Sequence, residues 1–230
     1  MRIITPTEIE RVAWAGTLEP VGVTFKGEHP RPRVTLGKPA WWSAEQALQS
    51  ETGKKWTPPA GHRSYTLLRL ACTLHPLSQS RAHYTEATLT AYLRPHSEVG
   101  VVVAHDLYPQ RLTADSTRTF TIGLGPDLKF AESFEATLGE VGAEIEYHIA
   151  FPVIQGYGLG ESRPYWQFAH HAAHPLLGCQ SVYVVLDAPR DARGVRLSLE
   201  LTATVETRWG PIRVGTPAEA QAGLSRIVAI

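Results

Sequence analysis

The sequence is poor in sulfur, in unbalanced charge and in long apolar runs. Among 230 residues there are two cysteines, Cys72 and Cys179, and one methionine. Two cysteines do not make a disulfide framework. The expectation is two reduced, buried thiols packing as small hydrophobes, which points to a cytoplasmic protein. No run of about 18 apolar residues occurs, so no transmembrane helix is expected. The stretch Met1 to Thr7 carries one charge and no apolar h-region, so no signal peptide is expected there. Lys plus Arg and Asp plus Glu each number 22, giving a formal net charge of zero. A non-specific nucleic-acid binder needs a basic excess, which this composition lacks. Internal repeats and low-complexity segments are missing as well.

What is present is a pattern of alternation. From Val195 the chain places Val195, Leu197, Leu199, Leu201, Ala203, Val205, Thr207 and Trp209 on one side. Arg196, Ser198, Glu200, Thr202, Thr204, Glu206 and Arg208 fall on the other. Successive side chains of a strand point to opposite faces, so this period of two predicts a long strand between core and water. Tyr65–Leu74 and Tyr84–Leu93 read as two antiparallel strands joined by a loop. Val99–His105 and Thr117–Leu124 follow. Phe134–Leu138 and Val141–Phe151 come next, with Glu140, Glu144, Glu146 and His148 opposite the apolar side. Ser181–Leu186 is apolar on both faces, which predicts a central, buried strand. Glycine at 19 and proline at 17 are spread along the chain, as many turns require.

The prediction is a mainly β fold, a two-layer antiparallel sandwich of about seven to nine strands with one or two short helices. It is one domain over 1–230. Residues 1–63 form an irregular N-terminal segment packing on a 64–210 sandwich, and 211–230 is a tail, helical over Ala218–Leu224. The best helix within 1–63 is Ser43–Glu51, with Ser43 as N-cap and Gly53 as stop.

Four groups are candidates for chemistry. His170 and His174 share a face if helical, the i, i+4 spacing of zinc-binding helices, with Cys179, His148 or Asp187 to offer a third ligand and His171 where a catalytic Glu would stand. The alternative is a polar loop of hydrogen-bonded imidazoles. Gly156, Gly158 and Gly160 form a glycine loop, but Glu161 follows it and Pro164 interrupts any helix that would present N–H groups to phosphate. The carboxylates Glu140, Glu144 and Glu146 share one strand face, the ordinary state of a solvated face. Trp41, Trp42, Tyr165 and Trp166 offer rings for stacking on sugars or anchoring a partner, against the plainer role of plugging the sandwich ends. No grouping makes a recognisable catalytic site. The leading expectation is therefore a non-enzymatic interaction or assembly module of a cytoplasmic system, with a protein partner or self-association. No cofactor is expected under it. The alternatives are a zinc-type metal-binding protein or metal-dependent hydrolase using His170, His171 and His174, and a carbohydrate-binding sandwich using the loop tryptophans.

Overall fold

Strands that alternate apolar and polar residues must bury one face, and two such sheets bury each other. A computed structural model describes residues 2–3, 11–22, 31–49, 53–59, 62–78, 81–97, 100–112, 153–171 and 175–228. In chain order its first strands are β1 (Arg2–Ile3), β2 (Val12–Thr17), β3 (Glu19–Pro20), β4 (Arg33–Gly37) and β5 (Ala40–Ser43). The single-turn helix α1 (Ala44–Ala47) leads to β6 (Leu48–Gln49), β7 (Arg63–Leu74), β8 (His83–Pro95), β9 (Val103–Tyr108) and β10 (Arg111–Leu112). Then come β11 (Val153–Tyr157), β12 (Tyr165–Ala169), β13 (Gly178–Pro189), β14 (Val195–Thr207) and β15 (Gly210–Gly215). Helix α2 (Ala218–Gly223) and β16 (Arg226–Val228) complete the described chain. None of the described helices is long and apolar enough to cross a membrane.

Fourteen of these strands form two antiparallel sheets, and β1 and β6 pair with each other apart from them. The eight-stranded sheet runs β10-β11-β12-β8-β14-β15-β3, with β16 also on β14. The six-stranded sheet runs β2-β4-β7-β13-β9, with β5 also on β7. Between them lies one core, to which β7 gives Leu68 and Leu70, β13 gives Val182 and Val184, and β14 gives Leu199 and Leu201. The sandwich is therefore as predicted. It holds more strands than expected, because short segments among prolines and glycines, such as Arg33–Gly37, also pair. Val34 and Leu36 from that segment are fully buried.

The alternation in β14 is realised residue for residue. Val195, Leu197, Leu199, Leu201, Ala203 and Val205 are each 3% exposed or less. Trp209 is an exception, because the strand ends at Thr207 and the ring stands on the hairpin tip. The expected pairing of 65–74 with 84–93 does not occur. β7 pairs along its length with β13, and β8 pairs with β14. β7 and β8 lie in different sheets, and their apolar faces enter the same core from the two layers, Leu68 and Leu70 from β7 and Leu89 and Ala91 from β8. The helix expected over Ser43–Glu51 shrinks to α1. Leu48 is fully buried, and Leu48–Gln49 pairs with β1 instead. Ser43 makes no side-chain cap bond. Helix α2 falls within the predicted Ala218–Leu224. The strands read at 117–124, 134–138 and 141–151, with Glu140, Glu144 and Glu146, lie outside the described residues.

A second, smaller core covers the outer face of the six-stranded sheet. Leu67 and Val185 of that sheet pack there with Ala44, Ala47 and Leu48. This explains why Ser181–Leu186 reads as apolar on both faces. Cys72 points into the main core, whereas Cys179 is exposed, contrary to the expectation that both are buried. They lie on paired strands, Cys179 opposite Thr73 and Cys72 opposite Gln180, with side chains on opposite faces.

Tyr84 ties the main core to the loop after β7. Its hydroxyl donates to the His75 carbonyl at 3.2 Å, and burial pushes its pKa up to about 12. The phenol of the unfolded chain ionises near pH 10, so the folded state binds its proton more tightly. That stabilisation is complete below pH 10 and is lost as pH rises towards 12. Stability should fall by about 2–3 kcal/mol across that window. Denaturant melts in alkaline buffers should show a shallower fall for Tyr84→Phe. Parallel curves for the two proteins would refute it.

Candidate binding face

The outer face of the eight-stranded sheet is built from residues that alternate with the core. The register sets them in rows across four strands. One row runs Tyr157, Tyr165, Thr90, Glu200, and the next runs Gln155, Gln167, Thr88, Thr202. Tyr92 and Ser198 form a further row beside the first. The rings of Tyr157 and Tyr165 are stacked, with centroids 4.8 Å apart and planes at 17°. The Tyr92 hydroxyl donates to Glu200 Oε2 at 2.5 Å, and the Arg163 guanidinium lies 5.0 Å from the centre of the Tyr92 ring. Burial, then the hydrogen bond and charge of Glu200, raise the Tyr92 pKa, while Arg163 opposes the shift. Gln167 Nε2 donates to Glu86 Oε1 at 2.5 Å. Thr90 is 7% exposed, so its neighbours on this face cover it.

The glycine loop holds this face in place. Gly160 N donates to Ala104 O at 2.7 Å, and Ala104 N donates to Glu161 O at 2.9 Å. Ala91 N and Leu93 N of β8 each donate, at 2.9 Å, to Pro164 O and Ser162 O. Gly156 N donates to Gln110 O at 2.9 Å. The Gly156, Gly160 and Glu161 N–H groups of the loop donate to protein carbonyls, and its own carbonyls accept from β8 and β9, so the loop straps the sheets together. Gly158 has φ +86, a backbone conformation suited to glycine.

The residues singled out from the sequence fall in separate places. Tyr165 lies on this face. Trp166, the next residue, is fully buried in the main core and has no surface for a ligand. Strand alternation sends the two to opposite sides. Trp41 on β5 is 36% exposed, and Trp42 packs against the second core. His170 follows β12, with its ring 5.2 Å from that of His83. No helix forms at His170 or His171, so the i, i+4 face does not arise there. His148 and His174 lie outside the described residues. Cys179 starts β13 in the other sheet, and Asp187 stands near the far end of that strand. Among the described residues, no group of three or more His, Cys, Asp or Glu is placed to hold a metal ion. Tyr92, Tyr157, Arg163 and Glu200 were not picked out by sequence. The alternation of 153–157 is the signal for Tyr157, and the alternation of 84–93 and 195–207 is the signal for Tyr92 and Glu200; Arg163, in the loop between β11 and β12, has none.

Two other clusters stand apart. At the β14–β15 tip, Trp209 is 79% exposed and the Arg208 guanidinium lies 4.3 Å from its ring centre. Thr207 Oγ1 accepts from Trp209 N at 3.1 Å and donates to Gly210 O at 2.8 Å, fixing the turn. On β9, the Asp106 carboxylate accepts from Leu107 N at 2.9 Å, from Gln110 Nε2 at 2.8 Å and from the Tyr108 hydroxyl. Burial, then the bond to Asp106, drives the Tyr108 pKa well above the usual phenol range. With three donors in place, this carboxylate acts as a structural acceptor.

No family model matches the chain, and no curated protein matches it. Among solved structures it is similar to Clostridium perfringens delta-toxin, at 11% identity and a TM-score of 0.40, covering 89% of this chain and 85% of that one. It is also similar to the Clostridium perfringens NetB toxin in its membrane-inserted form. That match has 10% identity and a TM-score of 0.36, and covers 96% of this chain and 92% of the toxin. At that level the backbones do not superpose closely enough to argue from one to the other.

Proposed function

We propose that this chain is a non-enzymatic interaction module that holds its partner on the outer face of the eight-stranded sheet. The observation that carries the reading is the Arg163–Tyr92–Glu200 group beside the stacked Tyr157 and Tyr165. Tyrosine and arginine are the residue types that dominate binding energy at interfaces. Here the tyrosines stand on strands whose inward faces are locked in the core, and Arg163 stands in the loop that straps the sheets, so little ordering is lost on binding. A cytoplasmic setting belongs to this proposal. A photo-crosslinker at position 165 tests it in cells. The expected result is a discrete cross-linked product that disappears with Tyr92→Ala plus Arg163→Ala, at an unchanged melting temperature. A product that survives both substitutions overturns the reading.

A second reading makes a lipid bilayer the partner. Leu112 pairs with Ile154 in the eight-stranded sheet, so residues 113–152 leave and rejoin it at one place. The register sets this point at the same end of the sheet as the exposed Trp209 and Arg208. The sequence between alternates Phe120, Ile122 and Leu124 with Thr119 and Thr121, and later Ile145, Tyr147 and Ile149 with Glu144, Glu146 and His148. Alternation over about ten residues suits the strands of a membrane barrel, and Trp suits the bilayer interface. Release of dye from phosphatidylcholine vesicles, with and without phosphatidylserine, is the test. Ile122→Arg plus Ile145→Arg should abolish release, since an Arg on a lipid-facing strand costs about 2–4 kcal/mol at mid-bilayer. No release by the parent chain on either vesicle overturns this reading.

A further inference from the structure

Two histidines far apart in sequence meet at the end of the eight-stranded sheet where β8 starts and β12 stops. We infer that His83 and His170 seat a divalent transition-metal ion, zinc or copper, which clamps these two strand ends together. The inference is independent of what the sheet face binds. The ring centres of His83 and His170 are 5.2 Å apart and their planes meet at 57°, neither stacked flat nor edge-on. Two imidazoles that share one tetrahedral zinc, each nitrogen about 2.0–2.1 Å from it, hold their ring centres about 5 Å apart. The backbone is fixed in this arrangement, because His170 N donates to Thr85 O at 2.9 Å. His83 is exposed and His170 half-buried, so an ion can enter from solvent.

A third ligand stands on the neighbouring strand. Glu206 of β14 is directly opposite His83 in the register. The adjacent pair, Val205 and Tyr84, is buried in the core, so alternation sends Glu206 and His83 to the outer face together. Opposed β-carbons on paired strands lie about 4.5–5.5 Å apart, within reach of a glutamate side chain. No group of three ligands is assembled among the described residues, so Glu206 has to turn about its side-chain bonds to join the two imidazoles. Water completes the shell. Imidazole with carboxylate suits zinc and copper, whereas magnesium and calcium take oxygen ligands. Other histidines are engaged differently. His75 Nε2 lies 2.9 Å from Thr35 Oγ1, and His105 packs edge-on against Trp56 and Tyr65. Among the described residues, the ring contact of His83 and His170 is with each other.

Titration calorimetry of the full chain, free of any affinity tag and stripped with chelator, tests the inference. The probes are zinc, copper and magnesium chlorides. A single zinc or copper ion should bind, copper more tightly, and magnesium should not bind. His83→Ala and His170→Ala should each weaken binding by about tenfold or more, since each removes a ligand. Glu206→Gln should weaken it less, and His62→Ala should leave it unchanged. Zinc should raise the melting temperature of the parent chain and leave that of His83→Ala plus His170→Ala where it is, because an ion held only by the folded state stabilises it. Electron paramagnetic resonance of the copper form should show coupling to two imidazole nitrogens. Three results each overturn the inference: no zinc or copper bound, binding that survives either histidine substitution, or binding that survives His83→Ala and is lost with His174→Ala. The last would return the site to the helical spacing read from the sequence.

Discussion

Replacing Trp166 with alanine is expected to cost about 3–5 kcal/mol, the range for deleting a large buried aromatic side chain. Trp166 is fully buried near the middle of β12, between Leu89 of β8 and Gly156 of β11. Its neighbours are strands held by ladders on both sides, so they cannot close over the cavity. The indole Nε1 is buried with no hydrogen-bond partner among the described residues. An unmet buried donor carries a desolvation cost of its own. Trp166→Phe removes that donor and keeps most of the ring, so it should cost clearly less than alanine. Urea denaturation followed by far-ultraviolet circular dichroism measures both. A Phe variant as damaged as the Ala variant would show that the donor is met and that the whole indole is needed.

Gly158→Ala should cost about 3 kcal/mol through the backbone alone. Its φ of +86 makes a left-handed residue, which costs a β-carbon about 1–2 kcal/mol. The added carbon would stand 2.8 Å from Pro164 Cα and 2.9 Å from Arg163 O. Those are backbone atoms, so the β11–β12 hairpin must shift, at a further cost of about 1–3 kcal/mol. The shift would displace Arg163 and Tyr165, so partner binding should fall with stability. Gly160→Ala is the useful contrast. Gly160 also has a positive φ, +78, but nothing lies within 4 Å of the added carbon. It should lose the conformational part alone. Equal losses at the two sites would remove the steric part of this account.

Those two glycines illustrate what the sequence makes legible. Gln155–Pro164 reads as a glycine-rich loop from composition, but its bonds to Ala104, Ala91 and Leu93 depend on strands distant in sequence. The long strand at 195–207 is legible because a period of two survives any partner. The partner is not. β7 and β8 look like a hairpin because they are adjacent in sequence, whereas their partners β13 and β14 lie about a hundred residues on, which a local reading does not see. The same holds at the binding face. Tyr165 was singled out by its ring, together with Trp166, and only strand geometry separates the exposed one from the buried one. Tyr92 and Glu200 are 108 residues apart and become a pair through the β8–β14 register. The His170–His174 spacing suits a helix, but β12 runs to Ala169 and no helix follows at His170 or His171.

The strap between Ala104 and residues 160–161 has a consequence for how the molecule opens. β9 is the last strand of its sheet, and its outer backbone is bonded to the β11–β12 turn of the other. An edge strand of this kind would otherwise be a template for another chain. Because the bonds cross between sheets, the end of β9 cannot fray by itself. Its amides are shared property of both layers. In hydrogen exchange, Ala104 and Gly160 belong with the slow interior class and should become labile together, as one cooperative unit. The sandwich is thus sewn along this border, and within the six-stranded sheet fraying is expected first at the other edge, β2.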